Sequence, residues 1–122
     1  MTDNIRTLTF ISRRAPYGEG YARACLDMVM ASAVFDQKVN MVFMDDGVFQ
    51  LVDGQAPEAI AARSMSRHLT ALPLYGVDAI YVDELALRQR GLVTEELVLP
   101  VKSADTATLQ ALIAQSDQVF VL

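Results

Sequence analysis

Cysteine occurs once in this chain, at Cys25, histidine once, at His68, and tryptophan not at all. One cysteine excludes an internal disulfide framework and the common cysteine-based zinc sites. One histidine leaves a Ser-His-Asp or Cys-His arrangement a single place to use, and no nucleophile-elbow sequence accompanies it. With no second histidine, no metal site is expected. Cations are scarce as well: ten Lys and Arg stand against fifteen Asp and Glu, for a net charge of −5. Affinity for a phosphate backbone rests on clustered Lys and Arg, so direct nucleic-acid binding is not expected. The Arg13-Arg14 pair is the one cationic doublet, and a solvated pair on a loop is its plain reading. No apolar run approaches the length that spans a bilayer, and Met1-Thr2-Asp3-Asn4 lacks the basic-then-apolar order of a signal peptide. The expectation is a cytoplasmic protein with no membrane attachment.

What the chain does have is apolar surface. Its 122 residues make one domain, 1–122, large enough to bury a core without disulfides or metal. The hydrophobic fraction is 52% and the mean hydropathy +0.26, high for so small a protein. A surplus of this kind predicts an oligomer, in which some of the surface is covered by another subunit.

Five apolar runs with strand character alternate with helical segments. Ile5–Ser12 reads as the first strand and Arg13–Gly20 as a loop. A one-face stripe follows, Ala22, Cys25, Leu26, Val29, Met30 and Ala33, for a helix ending near Phe35. Val39–Met44 is the second strand. Pro57–Ala62 and Ser66–Leu72 are helical pieces, the latter stopped by Pro73. Ala79–Val82 is the third strand, with a short helix Glu84–Arg90 ended by Gly91. Leu97–Val101 reads as the fourth strand, its Pro100 implying an edge position or an early end. A last helix, about Asp105–Gln115, precedes the fifth strand at Gln118–Leu122. Strands alternating with helices predict a three-layer α/β/α fold around a mainly parallel sheet. Continuous apolar runs, Met41-Val42-Phe43-Met44 and Leu97-Val98-Leu99, fit strands buried on both faces.

The most informative stretch is Asp45-Asp46-Gly47-Val48-Phe49-Gln50-Leu51-Val52-Asp53-Gly54-Gln55, directly after the second strand. Two carboxylates and a glycine end the strand, yet a second apolar group follows at once. In open α/β sheets, ligands and partners meet the chain at the carboxyl ends of the strands. The apolar turn therefore covers either the domain's own core or another protein.

Other candidates are weaker. Cys25 sits on the apolar stripe of the first helix, where a core side chain is the plain reading, although a lone thiol also invites a nucleophile reading. His68 is read as a half-exposed structural residue. Gly18-Glu19-Gly20 faintly echoes a dinucleotide fingerprint, but the third glycine is missing and Glu19 occupies the place of a phosphate, so no cofactor is expected. Asp45, Asp46, Asp83 and Lys102 at predicted strand ends suggest the corner of a receiver-like signalling domain. They follow the wrong strands for that family, and acids at strand ends are ordinary cap and turn residues.

Several of these segments together resemble the DsrE/DsrF-like family of small sulfur-relay proteins, most closely its TusC/DsrF branch. The resemblance rests on Ala15-Pro16-Tyr17-Gly18, on Asp46-Gly47-Val48-Phe49-Gln50-Leu51 with Gly54-Gln55 and Pro57, on Leu74-Tyr75-Gly76, and on Leu87-Arg88-Gln89-Arg90-Gly91-Leu92. It covers nearly the whole chain. The resemblance implies a DsrEFH-like α/β/α domain with five strands. It further implies a subunit of a TusBCD-type complex, a dimer of heterotrimers with TusB-like and TusD-like partners and a TusE-like carrier. Such a complex passes persulfide sulfur towards 2-thiolation of the tRNA wobble uridine; its DsrEFH counterpart serves dissimilatory sulfur oxidation. In the sulfur-carrying branch a cysteine follows the third strand, where this chain has Asp83. A carboxylate cannot bear a persulfide, so the resemblance implies a non-catalytic binding subunit, with a persulfide carrier using Cys25 as the alternative. Val48, Phe49, Gln50, Leu51 and Tyr17 are its candidate contact residues, with closure of the domain's own core as the competing reading for the apolar ones.

Overall fold

The computed structural model describes residues 5–15, 20–35, 37–52, 67–77 and 79–122. Tyr17 and the predicted helix Pro57–Ala62 lie outside the described residues, as does the start of the Ser66–Leu72 segment. Five strands, β1 (Thr7–Ser12), β2 (Lys38–Phe43), β3 (Ala79–Asp83), β4 (Lys102–Ala104) and β5 (Gln118–Val121), form one sheet in the order β4-β3-β2-β1-β5. Every adjacent pair is parallel. The expected fold is the one observed.

Strand order decides which face each helix covers. Parallel crossovers are right-handed, so steps in one direction place their connections on one face of the sheet. The steps β1→β2→β3→β4 all run one way. Helices α1 (Tyr21–Val34) and α2 (Glu84–Gln89) accordingly share the larger core with Phe10, Met41, Phe43, Ile80 and Val82. The final step reverses and carries α3 (Thr106–Gln115) from one edge to the other across the second face, over Ile11, Val42 and Ala104. At about 1.5 Å per residue α3 is roughly 15 Å long, while the edge strands lie about 19 Å apart. One uncharged helix thus covers most of a face. Its ends are fastened: Asp105 accepts a hydrogen bond from the Thr108 N–H at 2.8 Å, and Ser116 Oγ lies 2.5 Å from Thr9 Oγ1.

The fourth strand departs from expectation. Leu97–Val101 does not join the sheet; Lys102–Ala104 does, so Lys102 opens the strand rather than following it. Pro100 brings no N–H to a ladder, and Leu99 instead turns into the core at 6% exposure. Leu97 forms an isolated antiparallel bridge with Val52, and the Val98 N–H donates to Leu51 O at 2.8 Å. Pro73 also acts differently than expected. Residues 67–71 are helical and the chain continues through a 3-10 turn, Leu72–Tyr75, with Pro73 in its first turn, to end at Gly76 with φ +89°.

The apolar turn after β2 is a 3-10 helix, Asp45–Leu51. It lies so close to β1 that a Cβ on Gly47 would fall 2.0 Å from Ser12 O and 2.8 Å from Ser12 C. Both obstructing atoms are backbone and cannot rotate away. Gly47→Ala is therefore expected to destabilise the domain by about 3 kcal/mol or more, read from the urea midpoint with an unchanged slope.

Candidate functional site

The carboxyl ends of β1, β2 and β3 meet at the 3-10 helix. Asp45 begins it with φ +50°, a left-handed conformation that aspartate tolerates better than most residues, and its carboxylate accepts from Arg13 Nε at 2.7 Å. Three residues per turn then sort the side chains. Val48 and Leu51 point inward and are fully buried in this domain's own core. Burial thus removes them from the candidate contact surface and gives that part of the turn to core closure. Gln50, at 4% exposure, donates through Nε2 to Ser12 Oγ at 2.7 Å and to Arg14 O at 2.9 Å, so it is an internal strut. Its Oε1 has no hydrogen-bond partner among the described residues. Phe49 is the half-buried member and keeps an open face.

An arginine that sequence reasoning passed over holds this face in place. Arg90, just past α2, donates to Asp46 Oδ1 from Nη2 at 2.9 Å and from Nε at 3.2 Å, and to Ala86 O at 3.2 Å. Its guanidinium lies 6.0 Å from the Phe49 ring centroid. The Asp-Gly-Val-Phe-Gln-Leu run and the Leu-Arg-Gln-Arg-Gly-Leu run, distant in sequence, are thus one surface. The available signal was Arg90 at a helix C-terminus, where a cation is favoured and its partner goes unseen.

Asp83 ends β3 at 8% exposure, and its carboxylate accepts from the Leu85 N–H at 3.2 Å as the N-cap of α2. Aspartate here satisfies an orphan helix donor. Asp83→Ala is expected to cost about 1 kcal/mol in thermal or urea unfolding, with α2 the element that loosens.

Cys25 has no solvent exposure. Burial pushes its thiol up to about 11 from 9.0, an effect only partly offset by a hydrogen bond with Ser12. A protonated, enclosed thiol is neither nucleophile nor sulfur acceptor. Because the folded value is the higher one, the contribution to stability is complete below about 9.0 and is lost as the pH climbs through about 11. Replacing Cys25 with Ala should flatten the fall in stability over that interval, and native-state alkylation at neutral pH should proceed no faster than global unfolding.

His68 is half-exposed, with Nδ1 3.1 Å from Arg23 Nη1 on α1. It is thus tied to a neighbouring helix. Among the described residues no three His, Cys, Asp or Glu side chains converge as metal ligands, and no helix is long and apolar enough to cross a membrane.

A parallel α/β/α sheet of order β4-β3-β2-β1-β5, with its distinctive 3-10 turn at the strand ends, defines a fold class, and comparison with known proteins narrows it. The DsrE/DsrF-like family model matches residues 6–122, and the chain belongs to that family. It is 42% identical to a "Protein TusC homolog" of Pseudomonas aeruginosa, over 96% of this chain and 98% of that one. It is 35% identical to the "Intracellular sulfur oxidation protein DsrF" of Allochromatium vinosum, over 98% of each. The crystal structure of the ychN protein from E. coli shares the fold, with a TM-score of 0.78 at 21% identity, covering 97% of this chain and 100% of the other.

Proposed function

We propose that this chain is a non-catalytic subunit of a TusBCD-type sulfur-relay complex that passes persulfide sulfur towards 2-thiolation of the tRNA wobble uridine. One observation carries the reading: Asp83, which ends β3 where the resemblance places the cysteine of the sulfur-carrying branch, is already engaged in capping α2. The remaining thiol, Cys25, is enclosed in the core. Sulfur is then held by a TusD-like subunit, with a TusB-like subunit completing the heterotrimer and a TusE-like carrier receiving the sulfur in the cytoplasm. This chain contributes surface. The half-open Phe49 ring beneath the Arg90 guanidinium pairs an aromatic with an arginine, the residue types most enriched where subunits bind tightly.

The DsrF relative supports a second reading, in which the same surface serves a DsrEFH-type complex in sulfur oxidation. The nucleosides of a strain lacking this chain separate the two. Loss of 2-thiouridine is expected, and a normal content gives the position to sulfur oxidation.

Two further outcomes follow. After incubation of the reconstituted complex with cysteine desulfurase, intact-mass spectrometry should find no added sulfur on this chain; a gain of one sulfur atom at Cys25 overturns the non-catalytic assignment. Phe49→Ala should abolish co-purification with the TusB-like and TusD-like subunits while leaving the isolated chain's melting curve within a few degrees of wild type. An intact complex would move the interface elsewhere.

A further inference from the structure

The sheet reverses direction between β1 and β5: all other connections step away from β1 on one side, and β5 is added on the opposite side. Connections diverging at such a point open a crevice beyond the strand ends, where open α/β sheets place ligands. A cavity of about 510 Å³ occupies that position, lined by Arg13, Arg14, Tyr21, Asp45, Asp46, Val121 and Leu122. Its size is that of a small-molecule site rather than of a single inorganic ion.

The charges lining it are not equivalent. Asp45 is paired with Arg13 at 2.7 Å, and Asp46 with Arg90 at 2.9 Å. Arg14 has no ion pair among the described residues; the central carbon of its guanidinium lies over the Tyr21 ring, 4.6 Å from the centroid. A guanidinium held over an aromatic ring by cation–π attraction still has N–H donors to offer, and arginine grips a carboxylate or a phosphate with two bonds. The backbone behind it is fixed, since Gln50 Nε2 holds Arg14 O at 2.9 Å. Val121, 53% exposed, supplies apolar surface opposite.

We propose that the crevice between the ends of β1 and β5 binds a small organic anion, a carboxylate or phosphate carried on a compact apolar body, with Arg14 as the residue that recognises the anionic group. The proposal stands apart from the relay reading and does not need it. The apolar body rests against Val121 and the exposed edge of Tyr21, and Arg13 stays committed to Asp45.

The full-length chain, titrated with isovalerate, with N-acetyl-leucine and with inorganic phosphate and followed by NMR, tests the site. Saturable shifts confined to Arg14, Tyr21 and Val121 are expected with both carboxylates, and phosphate should compete for the same place more weakly. Tighter binding of isovalerate identifies a free metabolite as the source of the anion, and tighter binding of N-acetyl-leucine identifies a polypeptide carboxyl terminus. Arg14→Gln, a substitution at an exposed side chain, should weaken binding about tenfold. The amide N-acetyl-leucinamide should not bind. Shifts that stay linear to high concentration, or equal affinity in the Arg14→Gln chain, overturn the proposal.

Discussion

The contact between Gly47 and the end of β1 governs the organisation of this domain. Ser12 O accepts the Met44 N–H at 3.1 Å, and Gly47 lies where even a methyl group would overlap that same oxygen. This close approach swings the 3-10 helix back over the sheet instead of letting the chain leave it. Val48 and Leu51 then fall into the core and Gln50 reaches Ser12 Oγ and Arg14 O. Phe49 is left facing outward. From there the order spreads through Asp46 to Arg90, and so to the end of α2. Neutral and charged hydrogen bonds alternate along this route, and its glycine is the position with no substitute.

The carboxylate at the end of β3 serves the helix that follows it. Asp83 keeps a short side chain at a helix start, and its oxygen satisfies a backbone donor that would otherwise be orphaned. The position thus gives rigidity to the passage from β3 into α2. The same logic extends to Cys25, which behaves as a small apolar side chain packed with Leu26 and Val29.

Much of this architecture was legible from the residues. The continuous apolar run Met41-Val42-Phe43-Met44 marked β2 as buried on both faces, and the stripe through Ala22, Cys25, Leu26 and Val29 marked the buried side of α1. The sequence misled where pattern and partner disagree. Leu97-Val98-Leu99 has strand composition, but its role is to bridge Val52 and cap the core, and the true β4 is the polar tripeptide Lys102–Ala104 at an edge. Edge strands need little hydrophobicity, so periodicity does not reveal them. At the site, the sequence marked the apolar turn but not which of its residues face inward, because a helix of three residues per turn has no long repeat to read. Arg90 and the placement of Arg14 over Tyr21 stayed hidden for another reason: both depend on pairings across distant segments, which a linear pattern does not record.

Strand order also has a consequence for how the domain is made. During synthesis β1 and β2 both emerge well before β5, the partner of the second edge of β1, exists. The other edge of β1, with Phe10 awaiting the ring of Phe120, stays open until the last strand arrives with α3. Through that interval the nascent chain presents an unpaired parallel edge backed by apolar side chains, the kind of template on which strands of neighbouring polypeptides add. Closure by β5 is thus the step at which the newborn domain stops being adhesive.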